Sequence, residues 1–126
     1  MNEEKTKHLL TSYPNLYSHP INFDCGDGWF DLIDRLSMKL EALINEFKLL
    51  NPDCEIIPYV TQVKEKYGVL CFYSSCFTDT MCLLIDEAEF ESCHICEICG
   101  KEGKLTNLSW LQTLCDEHIK EVNEDI

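Results

Sequence analysis

Two short pairs of metal-type side chains constrain this chain more than any other feature. Cys96-x2-Cys99, followed by Gly100, and Cys115-x2-His118 lie fifteen residues apart. Chelating pairs separated by two residues suit a tetrahedral zinc ion, because the tight turn between the ligands aims both side chains at one point. Four protein ligands close the coordination sphere and leave no position for a water, so the ion expected is a single structural Zn2+. A lobe of about 35 residues buries too little apolar surface to stand by itself, and metal binding would supply the missing folding energy.

The first pair has a rival within "CHICEICG", where Cys93, Cys96 and Cys99 fall at even steps. A knuckle favours glycine after its second ligand, since the backbone turns sharply there. Gly100 follows Cys99, whereas a Cys93/Cys96 pair would put Glu97 in that place. The ligands expected are therefore Cys96, Cys99, Cys115 and His118, with Cys93 as substitute thiol and His94 as substitute imidazole. Between the pairs, "GKLT", a turn at Asn107-Leu108-Ser109 and "WLQTL" read as a hairpin. "DEHIKEVNEDI" reads as a helix with Ile119 and Val122 on one side. Knuckle, hairpin and helix together predict a treble-clef or zinc-ribbon-like lobe over 92–126.

Residues 1–91 read as an α+β domain: a long amphipathic helix packed on a small antiparallel sheet, followed by a second helix. Trp29, Ile33, Leu36, Leu40, Leu43, Phe47 and Leu50 alternate steps of four and three, widened by Phe30, Leu32 and Ile44. Asp34, Arg35, Glu41, Asn45 and Lys48 fill the opposite face, and Asp24 or Asp27 is the expected cap. Ile56, Ile57, Tyr59, Val60 and Val63, then Val69 to Tyr73, form a hairpin around a "KEKYG" loop in which Gly68 suits positive φ. Thr78 or Asp79 caps the second helix, whose inner face carries Met81, Leu84, Ile85 and Ala88. A short helix over "NEEKTKHLL" precedes all of this and stops before Pro14.

The net charge is −13, and residues 86–126 hold eleven acids against three bases. Phosphate recognition relies on clustered Lys and Arg, and Arg35 is the chain's one arginine. Direct nucleic-acid binding is disfavoured and a basic protein partner favoured. With 45% hydrophobic residues a real core is expected. No stretch has the length and apolarity of a membrane span, the N-terminus lacks a secretory pattern, and nine cysteines are an odd set for disulfides. The expected setting is the cytoplasm.

Other candidate chemistry is thin. Cys25, in the "CGDGW" box of Cys25, Gly26, Asp27, Gly28 and Trp29, sits at a helix start with His19 six residues before it. A Cys/His nucleophile pair there lacks a third residue to orient the base, so a buried thiol in a cap-and-turn is preferred and no catalytic residue is assigned. Asp24, Asp27 and Asp31 read as cap and first-turn acids rather than a cation site. Trp110 is expected to pack on the main domain.

In combination, "CGDGWFDLIDRL", "QVKEKYGVLCFY", "CEICGKEGKL" and "TLCDEH" resemble a family of small uncharacterised phage, prophage and bacterial proteins, from about Tyr13 to His118. Val69 and Cys71 depart from the glycine and arginine common there. The resemblance pairs the knuckle as Cys96/Cys99, carries no activity across, and implies a host-takeover or counter-defence setting inside a bacterial cell. The function expected is non-enzymatic: an acidic, zinc-stabilised protein docking on a basic surface, such as that of a host defence or nucleic-acid-binding protein. The alternatives are a nucleic-acid-binding zinc-finger regulator and a metal-dependent nuclease.

Overall fold

One apolar cluster shared by helices and a hairpin organises the larger part of the molecule. The computed structural model describes residues 1–107 and 110–124. Its elements, in order, are α1 (Glu3–Ser12), β1 (Phe23–Asp24), a 3₁₀ turn (Asp27–Trp29), α2 (Phe30–Leu50), β2 (Tyr59–Lys66), β3 (Val69–Ser75), α3 (Asp79–Ser92), β4 (Lys104–Asn107), β5 (Leu111–Leu114) and α4 (Asp116–Glu124). The chain is thus α+β with small sheets, and its Cys/His cluster lies toward the C-terminus.

Along α2, Leu32, Ile33, Leu36, Leu40 and Ile44 are buried, and they share one apolar cluster with Val60, Val63, Leu70 and Phe72 of the hairpin. The apolar stripe outruns its cover: Phe47 is half-buried and Leu50 is exposed. It is α3, through Met81, Ile85 and Ala88, that lies closest to β3, while α2 packs along α3. Thr78 caps α3, its Oγ1 accepting from Met81 N at 3.3 Å.

The hairpin differs from its predicted outline in two respects. β2 begins only at Tyr59, leaving Ile56 exposed, and it continues through Lys66. The loop is the two-residue turn Tyr67-Gly68, with φ of 54° and 83°. Two positive-φ residues give the type I′ geometry that matches strand twist, so the strands extend into the lysine-rich tip. β1 adds a third strand, parallel to β2, pairing Phe23 with Val63 and Asp24 with Lys64. Two residues of parallel pairing carry too little periodicity to be read from sequence.

Two acids assigned to the polar face of α2 tie the N-terminal segment to it. Asp34 Oδ1 accepts from Tyr13 Oη at 2.7 Å and lies 3.1 Å from His8 Nε2. Glu41 is buried, and its carboxylate accepts from Asn15 N, Asn15 Nδ2 and Leu16 N at 2.8, 3.0 and 3.0 Å. Neither Asp24 nor Asp27 caps α2: Trp29 occupies the N-cap position, and Asp27 instead accepts from Asn2 N at 2.7 Å. Replacing Glu41 by Ala strands amide donors in a buried setting. It should destabilise the protein by about 2–3 kcal/mol, read as a lower urea midpoint, while Glu46→Ala on the exposed face should stay within about 0.5 kcal/mol.

Candidate metal centre

Past Ser92 the chain leaves α3 and folds back on itself. An isolated bridge pairs Ile95 with Glu102, Gly103 N donates to His94 O at 2.9 Å, and Cys96 N donates to Lys101 O at 2.8 Å. The turn between closes with Gly100 N on Cys96 O at 2.9 Å, and Gly100 has φ 83°, a conformation costly for any residue with a Cβ. Cys96 and Cys99 therefore project to the same side. Cys115 lies between β5 and α4, and His118 sits in the first turn of α4. Ile119 N bonds Cys115 O at 2.9 Å, so helix geometry sets the spacing of this pair.

One ligand atom from each of Cys96, Cys99, Cys115 and His118 lies within 4.8 Å of the others. Cys99 Sγ and Cys115 Sγ are 3.7 Å apart, and His118 Nδ1 lies 3.5 Å from Cys96 Sγ and 3.1 Å from Cys115 Sγ. A tetrahedron with zinc bond lengths has edges of about 3.8 Å between sulfurs and about 3.5 Å between sulfur and nitrogen. The donor set and its dimensions fit one such ion. His118 Nε2 faces Glu121 Oε2 at 3.8 Å, the kind of carboxylate that fixes a ligating imidazole in one tautomer.

The two knuckle sulfurs are shifted in opposite directions. Burial works to raise the Cys96 thiol, yet the amides of Cys99, Cys115 and Ile98 turned toward it carry it below its ordinary value. At Cys99 the Lys101 amide lowers the thiol, against burial and the Cys115 and Cys96 sulfurs, which prevail and raise it. Three thiolates around a dication leave the site near −1. The lobe's three lysines do not reverse that sign: Lys101 faces Glu117 at 3.6 Å, Lys104 faces Asp116 at 4.0 Å, and eleven acids over 86–126 outnumber the three. Leu114 is buried beside Cys96 and Cys115, with Ile119 and Val122 against them, forming a second, smaller apolar cluster.

The structure explains the "CGDGW" box, whose partner lies some seventy residues away in sequence. Gly28 N donates to Glu97 O at 2.7 Å, Gly26 N to Glu97 Oε2 at 2.8 Å, and Trp29 Nε1 to Ile95 O at 2.9 Å. A Cβ on Gly28 would run into the carbonyl of Cys96, and one on Gly26 into that of Glu97. The glycines are thus an approach surface for the knuckle. Burial pushes the Glu97 carboxyl up and the Gly26 amide draws it down, with burial prevailing. In the sequence Glu97 stands out only as the wrong residue for a knuckle turn; the two closely spaced glycines, Gly26 and Gly28, are the signal that another backbone comes near.

The hairpins also meet. Thr113, fully buried, donates through Oγ1 to Gly68 O at 2.7 Å, and its carbonyl accepts from Glu97 N at 3.0 Å.

Other candidates fall away from the cluster. Cys93 Sγ points at Glu89 O, 3.9 Å away, and the His94 ring lies tilted beside Phe90 at 5.2 Å. Cys25 is buried, and burial, then the Glu97 carboxylate, push its thiol up to about 12. His19 stacks on Tyr59 at 3.8 Å, and no hydrogen bond joins it to Cys25 among the described residues. Trp110, expected to pack, is 61% exposed. The remainder of the predicted turn, Leu108 and Ser109, and the helical extension over 125–126 lie outside the described residues. No known protein family, curated protein or solved structure matches the chain.

Cys96→Ser should abolish tight zinc retention after gel filtration, and Cys93→Ser should keep one zinc per chain, both measured by atomic emission. Stripping the native protein with a strong chelator should loosen α4 and the turn that leads into it, seen as loss of amide protection over 115–122.

Proposed function

We propose that the chain is an acidic binding protein whose C-terminal lobe is held by one structural zinc ion in a treble-clef-like arrangement, and that it docks on a basic surface of a partner protein. The observation that carries this reading is α3. Five acids and no base lie along it, Asp79, Asp86, Glu87, Glu89 and Glu91, and between them Leu83 and Phe90 stand 62% and 71% exposed. Acids in the last turn oppose the helix dipole; Glu89 turns inward, its carboxylate accepting from Phe72 N at 2.9 Å, which leaves Asp79, Asp86, Glu87 and Glu91 at the surface. Arg35 answers only one of them, lying 3.5 Å from Glu91. An acidic rim around exposed apolar anchors is the complement of a basic patch with an apolar centre.

The closed ligand set supports a metal that staples rather than reacts. The overall charge of −13 supports competition for a surface that otherwise holds nucleic acid, in the manner of a DNA mimic. That is the behaviour expected of a phage-encoded inhibitor of a host defence or nucleic-acid-binding protein, and it is the role we assign.

Affinity purification from a bacterial lysate tests the reading. Captured proteins should be basic, should be retained at about 50 mM salt and released by about 500 mM, and should be lost with a Phe90→Ala/Glu87→Lys double variant. Partners indifferent to salt and to that variant, or a mobility shift of bare DNA or RNA at low salt, would overturn it.

A further inference from the structure

We infer that the Cys25–Trp29 box serves as an outer shell of the metal centre, positioning the knuckle so that the four ligands bind a divalent ion more tightly than they would unaided. The three donors of the box do not contact the ligand side chains. They take hold of the main chain on either side of one ligand: Trp29 Nε1 holds the carbonyl of Ile95, before Cys96, and Gly28 N holds the carbonyl of Glu97, after it. Gly26 N fixes the Glu97 side chain as well. Cys96 is thereby pinned at both neighbouring residues, and it is fully buried.

The anchor itself is rigid. Trp29 is fully buried, at the N-cap of α2, inside the main apolar cluster. From the opposite side, Thr113 O takes Glu97 N and Lys101 O takes Cys96 N. The ligand loop is held before any ion arrives, so binding orders less chain and retains more of its free energy. Groups one step removed from a metal's ligands, when lost, weaken affinity by about 10–100-fold. Coupling of this kind is reciprocal: whatever the docked box adds to metal affinity, bound metal adds to the docking of the box.

Zinc affinity of the full chain, measured by competition with a chromophoric chelator, tests this, with Co2+ absorption as a check on coordination. Trp29→Phe removes one donor and keeps an aromatic ring, and Gly28→Ala places a methyl group against the Cys96 carbonyl. Both should weaken Zn2+ binding by about 10–100-fold while the Co2+ spectrum stays that of a tetrahedral thiolate site. Glu41→Ala, which loosens the main domain away from the knuckle, should bind Zn2+ as the native chain does. Box variants within about twofold of native, or an equal loss in Glu41→Ala, would overturn the inference. Should Gly28→Ala fail to fold, Trp29→Phe decides alone. The inference rests on the zinc reading: a native chain that takes no Zn2+ overturns both, whereas native binding with indifferent box variants overturns only this one.

Discussion

The carbonyl of Glu97, received by the amide of Gly28 at 2.7 Å, is the contact on which the arrangement of this molecule turns. It brings the start of the long helix against the loop that carries two cysteine ligands. Both partners are backbone, so only the absence of side chains at Gly26 and Gly28 lets them meet. Around it the structure builds outward in both directions: Trp29 leads into the main core, and Cys96 leads into the small cluster with Leu114 and Cys115. Two apolar clusters that are separate in composition are made continuous by polar bonds between them.

A second set of bonds makes that join a surface rather than a point. The turn at Tyr67-Gly68 reaches the β4–β5 hairpin, where Thr113 donates to Gly68 O and Leu105 Cδ1 comes within 2.5 Å of where a Gly68 Cβ would stand. Thr113 serves both contacts, one through its hydroxyl and one through its carbonyl. A C-terminal lobe with its own small apolar cluster need not touch the rest of the chain. Here its strands and knuckle lean on the main domain at two places, so displacement of one strains the other.

Elements governed by local chemistry were legible in the sequence. The periodicity from Trp29 to Ile44, the Thr78 cap and the two pairs Cys96/Cys99 and Cys115/His118 each rest on steps of three or four residues. What escaped was settled across the chain. Glu41 looks like a solvent-facing acid until the peptide of Asn15 and Leu16 is laid against it. The "KEKYG" segment has the composition of a loop, but pairing of Glu65 with Leu70 and Lys66 with Val69 extends the strands through it. The box from Cys25 to Trp29 was readable as a turn, but its partner was not, because nothing near it in sequence names a residue seventy positions on.

That separation bears on how the protein is made. Gly26 and Glu97 are 71 residues apart. At about 5–20 residues per second of synthesis, the box emerges on the order of several seconds before the loop it receives. Within that interval α2 and then its hairpin are made, while the glycines at the head of α2 still lack the peptide they receive. The knuckle follows in the chain, and the cysteine and histidine side chains on the far side of the β4–β5 hairpin are made after it. Synthesis thus delivers the core helix and its glycine seat before the loop that fills it.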